Sequence, residues 1–340
     1  MKALLFGAPP DPDEARPTPV DELETMLAAI PFGLHEIDDA RAVRPDWVVT
    51  KPILSGICGS DAKLVLGDFN TGDIDNPMAA FSSLPHVPGH EVVAEVTALG
   101  PAARGLDVGQ RVVLNPWLTC APRGITPPCP PCEAGDLSLC WSFTKGDLGP
   151  GVHVGVITTA PGAWAEGLAA HDSMLIPVPD GVSDEAAVLA DPFSVSFHAI
   201  VRHPPPPGGR VLVYGAGALG LTSVAILRAL YPGVEVGVRV LAERGRLVYT
   251  GVATPERWES TPIYFKEITI AGSNAFGLED FEGTRQHAIA HYLQLVRDGR
   301  LDITPMLTHR FRLEEWWPAL KALARQDRSR ALKVAFTPNG

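Results

Sequence analysis

The sequence is short of positive charge. Its 28 Lys and Arg stand against 39 Asp and Glu, giving a formal net charge of −11 and a pI of about 5.4. That shortage argues against nucleic acid and anionic membrane surfaces as partners, because both are held by clustered cations. Long apolar runs are also missing. A long uncharged stretch, between Arg210 and Arg228, is interrupted by Gly215, Gly217 and Gly220, and reads as strand, turn and helix rather than a membrane span. The apolar residues after Met1 and Lys2 stop at Pro9-Pro10, too soon for a secretory signal. A cytoplasmic protein with reduced thiols is expected. It has only five cysteines, so a disulfide framework is disfavoured and metal binding becomes their leading use. What remains is an acidic chain of 340 residues, 46% hydrophobic, with core enough for one large or two modest domains and suited to small-molecule substrates.

Met1–Phe6 reads as a first strand. Residues 9–46, rich in proline and acidic side chains, read as a surface insertion with a short helix near Val20–Ile30. Trp47–Leu54, Val92–Leu99 and Arg111–Leu114 have strand patterns. Residues 115–162 are loop-like, and Asp184–Arg202 has helical spacing. The run Pro204-Pro205-Pro206-Pro207-Gly208-Gly209 suits a domain junction. Val211–Tyr214 reads as a parallel strand buried on both faces, Leu219–Leu230 as a helix, and Arg246–Val252 and Glu267–Ala271 as strands. Asp280–Arg297 and Leu313–Ala324 are expected to be amphipathic helices, and Leu332–Phe336 a last strand.

Four of the cysteines, Cys120, Cys129, Cys132 and Cys140, fall within one Pro/Gly-rich loop. A two-residue gap lets one turn present two thiolates to a tetrahedral ion, and a loop with little core of its own would draw folding energy from that ion. A closed four-thiolate site leaves no open position, so its expected role is structural zinc. A second set is dispersed: Gly56-Ile57-Cys58-Gly59-Ser60-Asp61, Pro88-Gly89-His90-Glu91 and Ala190-Asp191-Pro192. Singly each is weak, since a lone cysteine is usually a small core residue. Together a thiolate, an imidazole and a carboxylate would make a three-ligand zinc site with a fourth position for water or substrate. The Ser60 hydroxyl, two residues past Cys58, could take a proton from that substrate.

These segments, in this order, resemble the zinc-containing medium-chain dehydrogenase/reductase family of alcohol, polyol and threonine dehydrogenases, over nearly the whole chain from Lys2 to about Phe336. The resemblance implies catalytic zinc on Cys58 and His90, with Glu91 or Asp191 as third ligand or supporting partner, and Ser60 as first member of a proton relay. Asp191-Pro192 resembles the Glu-Pro of the polyol branch, one methylene shorter. There are two other departures. Lys63 stands where the family often has a relay histidine, and eight residues, Ala121–Pro128, separate the first two lobe cysteines where two are usual. A longer loop can still close, because loop length costs little entropy. Trp117 and Phe69 are candidate pocket walls.

Gly215-Ala216-Gly217-Ala218-Leu219-Gly220 follows a strand pattern and opens a helix pattern, the context in which G-x-G-x-x-G binds a dinucleotide. The first glycine makes the tight turn, the second admits the pyrophosphate to the backbone, and the third packs helix on strand. Val234–Val238 would be the next strand. The sequence then runs directly into Arg239–Tyr249, which resembles the family's late helix end and following strand. Two helix–strand units, roughly 60 residues, are therefore expected to be absent between Val238 and Arg239. Glu235 lies inside the strand, and Arg239 alone does not choose NAD over NADP.

The expected fold is α/β plus β. A GroES-like zinc-binding catalytic domain would span 1–195, a shortened Rossmann dinucleotide-binding domain 196–277, and a return to the first domain 278–340. The expected activity is zinc-dependent hydride transfer between a secondary alcohol or polyol and NAD or NADP, with an alcohol or ketone as small-molecule partner and a homodimer or homotetramer as assembly. One alternative is a zinc-stabilised scaffold that has lost dinucleotide binding. Another is a zinc-free reductase of the same superfamily.

Overall fold

The structure, a computed structural model, describes residues 1–11, 14, 16–66, 82–237, 245–250 and 261–340. Phe69, Arg239 and the Val238–Arg239 junction lie outside these residues.

Strand β1 (Lys2–Phe6) pairs antiparallel with β2 (Phe32–Glu36). Helix α1 (Glu22–Ala29) lies between them in the chain. It starts at Asp21, whose carboxylate accepts the Glu24 N–H at 3.0 Å and so satisfies a donor that the first turn cannot. The segment is more than a surface insertion. Leu27 and Phe32 are fully buried in a core they share with Trp164, Trp316 and Phe336. Their few apolar positions are scattered among prolines and acids, which conceals the β2 strand in the sequence.

Strand β3 (Trp47–Gly56) leads into α2 (Gly59–Val65), and β4 (Glu91–Leu99) is followed by β5 (Arg111–Leu114). The cysteine lobe holds a short helix, α3 (Pro130–Ala134). Then come β6 (Leu168–His171), β7 (Leu175–Pro177), α4 (Asp184–Ala187) and α5 (Ala190–Arg202). The second half begins with β8 (Arg210–Leu212), α6 (Ala218–Leu230) and β9 (Glu235–Gly237). It continues through β10 (Arg246–Tyr249), α7 (Thr261–Phe265) and β11 (Thr269–Gly272). The chain then forms β12 (Leu278–Phe281), β13 (Thr284–His287), α8 (Ala288–Arg297), β14 (Leu307–Phe311), α9 (Trp316–Ala324) and β15 (Lys333–Phe336).

The main sheet has the order β14-β15-β3-β4-β5-β7, with β6 also paired to β3. Only β14 and β15 pair parallel; the other pairs are antiparallel. Late strands thus return to the sheet built by early ones. The β3–β4 register runs from Val48 opposite Leu99 to Gly56 opposite Glu91. This register brings the residues just past β3 beside those just before β4.

Two expectations need correction. Residues 278–287 form a β-hairpin, not the first turns of a helix. Glu282 and Gly283 both adopt positive φ, 47° and 78°, the signature of a tight primed turn; only Ala288–Arg297 is helical. Strand β8 was expected to be buried on both faces. Instead Val211 and Leu212 are half-buried and Tyr214 is 98% exposed. Among the described residues β8 pairs with β9 alone, and β10 with β11 alone; a two-stranded ribbon cannot cover both its faces.

Candidate metal and dinucleotide site

Cys58 sits at the N-cap of α2 and His90 immediately before β4, so the β3–β4 register sets them side by side. Cys58, His90 and Glu91 bring one ligand atom each to within 4.8 Å of one another. His90 is reached through Gly89, whose φ is +97° and where a Cβ would strike the Trp164 indole. A residue with a side chain could neither adopt this turn easily nor fit beside Trp164.

The surrounding charges orient these groups. Asp61 Oδ1 lies 3.3 Å from His90 Nδ1, and Asp61 Oδ2 accepts the Cys58 N–H at 3.0 Å. With Nδ1 turned to a carboxylate, Nε2 is the imidazole nitrogen left for a metal. Burial opposes charge on His90, but the Asp61 carboxylate outweighs it and holds the imidazole well above its usual range. Burial likewise pushes Asp61 up, and His90 more than compensates, so its carboxyl is held low. Glu91 is ion-paired with Lys333 of β15, and Lys333 also donates to the Ile57 carbonyl at 3.0 Å. Burial would strip Lys333 of its proton, but the charges of Glu91 and Cys58 hold its pKa above the usual value.

Asp191, in the first turn of α5, is 6% exposed. Burial raises its carboxyl to about 7 against the pull of His90 and Lys333. It faces the same charges but is not one of the three residues whose ligand atoms cluster. Ser60 is the second residue of α2, half-buried. The His153 ring lies 4.7 Å from that of His90; burial, then the His90 charge, brings its pKa down to about 4. Trp117 stands 5.8 Å beyond His153.

The four lobe cysteines form the second metal-competent cluster among the described residues. Cys120 Sγ lies 3.7 Å from Cys140 Sγ, and Cys129 Sγ 3.9 Å from Cys140 Sγ. Four sulfurs around a tetrahedral zinc at its usual bond length stand ~3.8 Å apart. The N–H groups of Cys129, Trp141 and Ser142 point at Cys120, Cys129 and Cys140, as donors do toward thiolates. Hydrogen bonding from Cys132 draws the Cys140 thiol down to about 5. The long gap between the first two cysteines holds Arg123, which has no exposure and donates to the carbonyls of Leu118, Lys145, Leu148, Gly149 and Gly151.

In the glycine motif, Gly215 has φ +110°, and a Cβ on Gly220 would run into the Gly215 carbonyl. Helix α6 opens at Gly217 with no side-chain cap, leaving its first N–H groups for an anion. The motif is tied to the metal-site helix. Ser196 of α5 bonds the Leu219 carbonyl at 3.0 Å and the Thr222 hydroxyl at 2.7 Å.

Of the residues the motifs single out, the structure brings Cys58, His90 and Glu91 together and leaves Asp191 outside that cluster. Asp61 stood inside the first motif without an assigned role. Lys333, His153 and Arg123 gave no local signal, because each acts through partners distant in the chain.

Residues 44–180 match the alcohol dehydrogenase GroES-like domain. L-galactonate-5-dehydrogenase of Escherichia coli K12 is 31% identical over 246 residues, 72% of this chain and 64% of that protein. The cobalt- and zinc-bound thermostable alcohol dehydrogenase of Pyrobaculum aerophilum has a similar fold, with a TM-score of 0.71 at 18% identity over 99% of both chains. So has an alcohol dehydrogenase of Escherichia coli CFT073 complexed with NADH, with a TM-score of 0.69 at 21% identity over 99% of both chains. The chain spans from about half to just under two thirds of the length of the first curated relatives it matches. Residues 44–180 thus carry an alcohol dehydrogenase GroES-like domain, and the fold of the chain is similar to that of alcohol dehydrogenases.

Proposed function

We propose that the protein is a zinc-dependent oxidoreductase that moves a hydride between a secondary alcohol or polyol and NAD or NADP. The observation that carries this reading is the Cys58, His90 and Glu91 cluster, backed by Asp61 and Lys333 and tied through α5 to the glycine motif. The donor set fits zinc: a thiolate, an imidazole whose second nitrogen faces a carboxylate, and a carboxylate. Cys58, His90 and Glu91 would hold the ion, with Asp191 the buried carboxyl facing the same charges. Cys120, Cys129, Cys132 and Cys140 would hold a second, structural ion. The Gly215–Gly220 turn and the uncapped start of α6 fit a pyrophosphate. A bound zinc would supply Lewis acidity and a bound nicotinamide the hydride acceptor or donor.

The chain's own groups do the rest. Asp61 fixes the His90 ring and, through the Cys58 N–H, the start of α2. Lys333 holds the Glu91 carboxylate in a buried ion pair. The Ser60 hydroxyl takes the substrate proton and passes it outward. The protein acts as a soluble enzyme on a small alcohol or ketone, in the cytoplasm, as a homodimer or homotetramer.

The test is calorimetric titration of the zinc-loaded full chain with NAD and with NADP, followed by nicotinamide reduction with secondary alcohols. Binding of one nucleotide and alcohol-dependent reduction are expected. Folded, zinc-loaded protein that binds neither nucleotide would overturn the reading and leave a zinc-stabilised scaffold.

A further inference from the structure

The cysteine lobe grips the second half of the chain by contacts that holding an ion does not explain. Helix α3 carries Cys132 and buries none of its residues. It ends at Gly135, where φ is +85° and the N–H reaches back to the Cys132 carbonyl at 3.2 Å. The Gly135 carbonyl accepts the Leu278 N–H of β12 at 2.9 Å. A Cβ on Gly135 would strike the Leu278 side chain, and one on Gly277 would strike the Gly135 carbonyl. So close an approach leaves no room for a side chain on either backbone. Further along the lobe, the buried Ser138 hydroxyl donates to the Asn274 carbonyl at 2.7 Å. The Asn274 amide returns a bond to the Ser138 carbonyl at 3.1 Å.

Two routes run from these contacts into the nucleotide half. The first passes through strand ends. Asn274 stands two residues past β11, and its neighbour Ser273 donates its N–H to the carbonyl of Tyr249, the last residue of β10, at 2.9 Å. The second runs along α5. Asp136 of the lobe accepts from Arg202 at 2.7 Å, and Arg202 also donates to the buried Glu279 of the hairpin at 2.9 Å. Arg202 is the last residue of α5. Ser196, earlier in the same helix, bonds the Leu219 carbonyl and the Thr222 hydroxyl of α6. The helix that opens at the glycine turn is thus tied to a helix whose far end is tied to the lobe.

We infer that the lobe is a coupling element, through which the ion on its four cysteines and the nucleotide at the glycine motif strengthen each other's binding. This rests on the dehydrogenase reading, which supplies both ligands, and gives the lobe's ion an effect outside the lobe. The two-state element is the lobe itself. With nothing of α3 buried, the lobe folds around its ion and comes apart without it. Coming apart releases Asn274, Leu278 and Arg202, so nucleotide binding must then also order the ends of β11 and α5. Linkage makes the effect reciprocal: the factor by which the ion raises nucleotide affinity is the factor by which the nucleotide raises ion affinity.

The experiment loads the full chain with cobalt. A four-thiolate cobalt site absorbs differently from a thiolate–imidazole–carboxylate one, so a chelator titration follows each ion separately. It is run without nucleotide and with saturating NAD or NADP, whichever binds in calorimetry. The nucleotide is expected to raise the lobe's affinity for its ion about 5–100-fold. A chain emptied of the lobe ion alone should bind nucleotide more weakly by the same factor. The double variant Asp136→Ala with Ser138→Ala keeps all four cysteines but cuts both routes, and should bring the gain close to none. The titration of the loaded chain decides the matter even where the emptied chain fails to fold. Nucleotide that binds the wild type but leaves the lobe's ion affinity unchanged overturns this inference and leaves the dehydrogenase reading standing. So does a gain that survives undiminished in the double variant. A chain that holds both ions and binds neither nucleotide overturns both.

Discussion

Gly89 turns the chain into His90 with a positive φ, and a methyl group there would meet the Trp164 indole. Gly89→Ala should destabilise the fold by about 3 kcal/mol or more, the sum of a left-handed backbone penalty and overpacking. A urea unfolding midpoint measures it, and an unchanged midpoint would refute the packing argument. Asp61→Asn keeps the side chain's shape but removes the charge facing His90 Nδ1. Zinc affinity at the catalytic cluster should fall about 10–100-fold, with the lobe ion retained; chelator competition separates the two. At this scale the sequence is informative where neighbours in the chain act together. Cys58, Ser60 and Asp61 share one motif. Lys333 is invisible because its partner Glu91 is brought to it only by the pairing of β15 with β3.

The elements show where pattern reading fails. Period and turn chemistry made most strands and helices legible, from β3 and β4 to α6. The β12–β13 hairpin hides inside the helix pattern of Asp280–Arg297 because Phe281 and Ile289 can be fitted to one helical stripe. Glu282-Gly283 ends that stripe with two positive φ angles. The hairpin carries Glu279, 1% exposed, between His198 and Arg202 of α5. Burial pushes its carboxyl up, but His198 and Arg202 outweigh that and hold it below its usual 4.5. A depressed carboxyl adds stability that is present above pH 4.5 and disappears as pH falls through the folded value. Glu279→Gln should therefore flatten the acid limb of a stability–pH curve while leaving its slope near neutrality unchanged; a parallel offset at all pH values would contradict this. In the cysteine lobe, Arg123→Met would leave five carbonyls without a donor, at about 1–3 kcal/mol for each that stays buried. The lobe should open, and bound zinc should drop from two ions per chain to one.

Among the described residues, one sheet unites the strands from β3 to β7 with the late strands β14 and β15, and α5 is joined to the glycine motif through Ser196 and Thr222. The resemblance implies the return of the late strands, and the glycine turn is read from its own motif between a strand and a helix pattern. The thin covering of β8 was not, because burial of a strand depends on neighbours that no local pattern reveals. Exposed Tyr214, Tyr264 and Phe265 lie in this half. Nucleotide binding should raise its protection from hydrogen exchange, with the β3–β4 pair little affected.

The Glu91–Lys333 pair also sets an order of events during synthesis. About 240 residues separate the two, and at ordinary translation rates the carboxylate exists for roughly 10–50 s before its counter-ion is made. Until then Glu91 can stay charged only in water or beside a cation, so β3 and β4 cannot seal over it at low cost. Zinc that arrives early meets a half-built, solvated cradle. The cluster of Cys58, His90 and Glu91 is therefore expected to be the last part of its sheet to become dry.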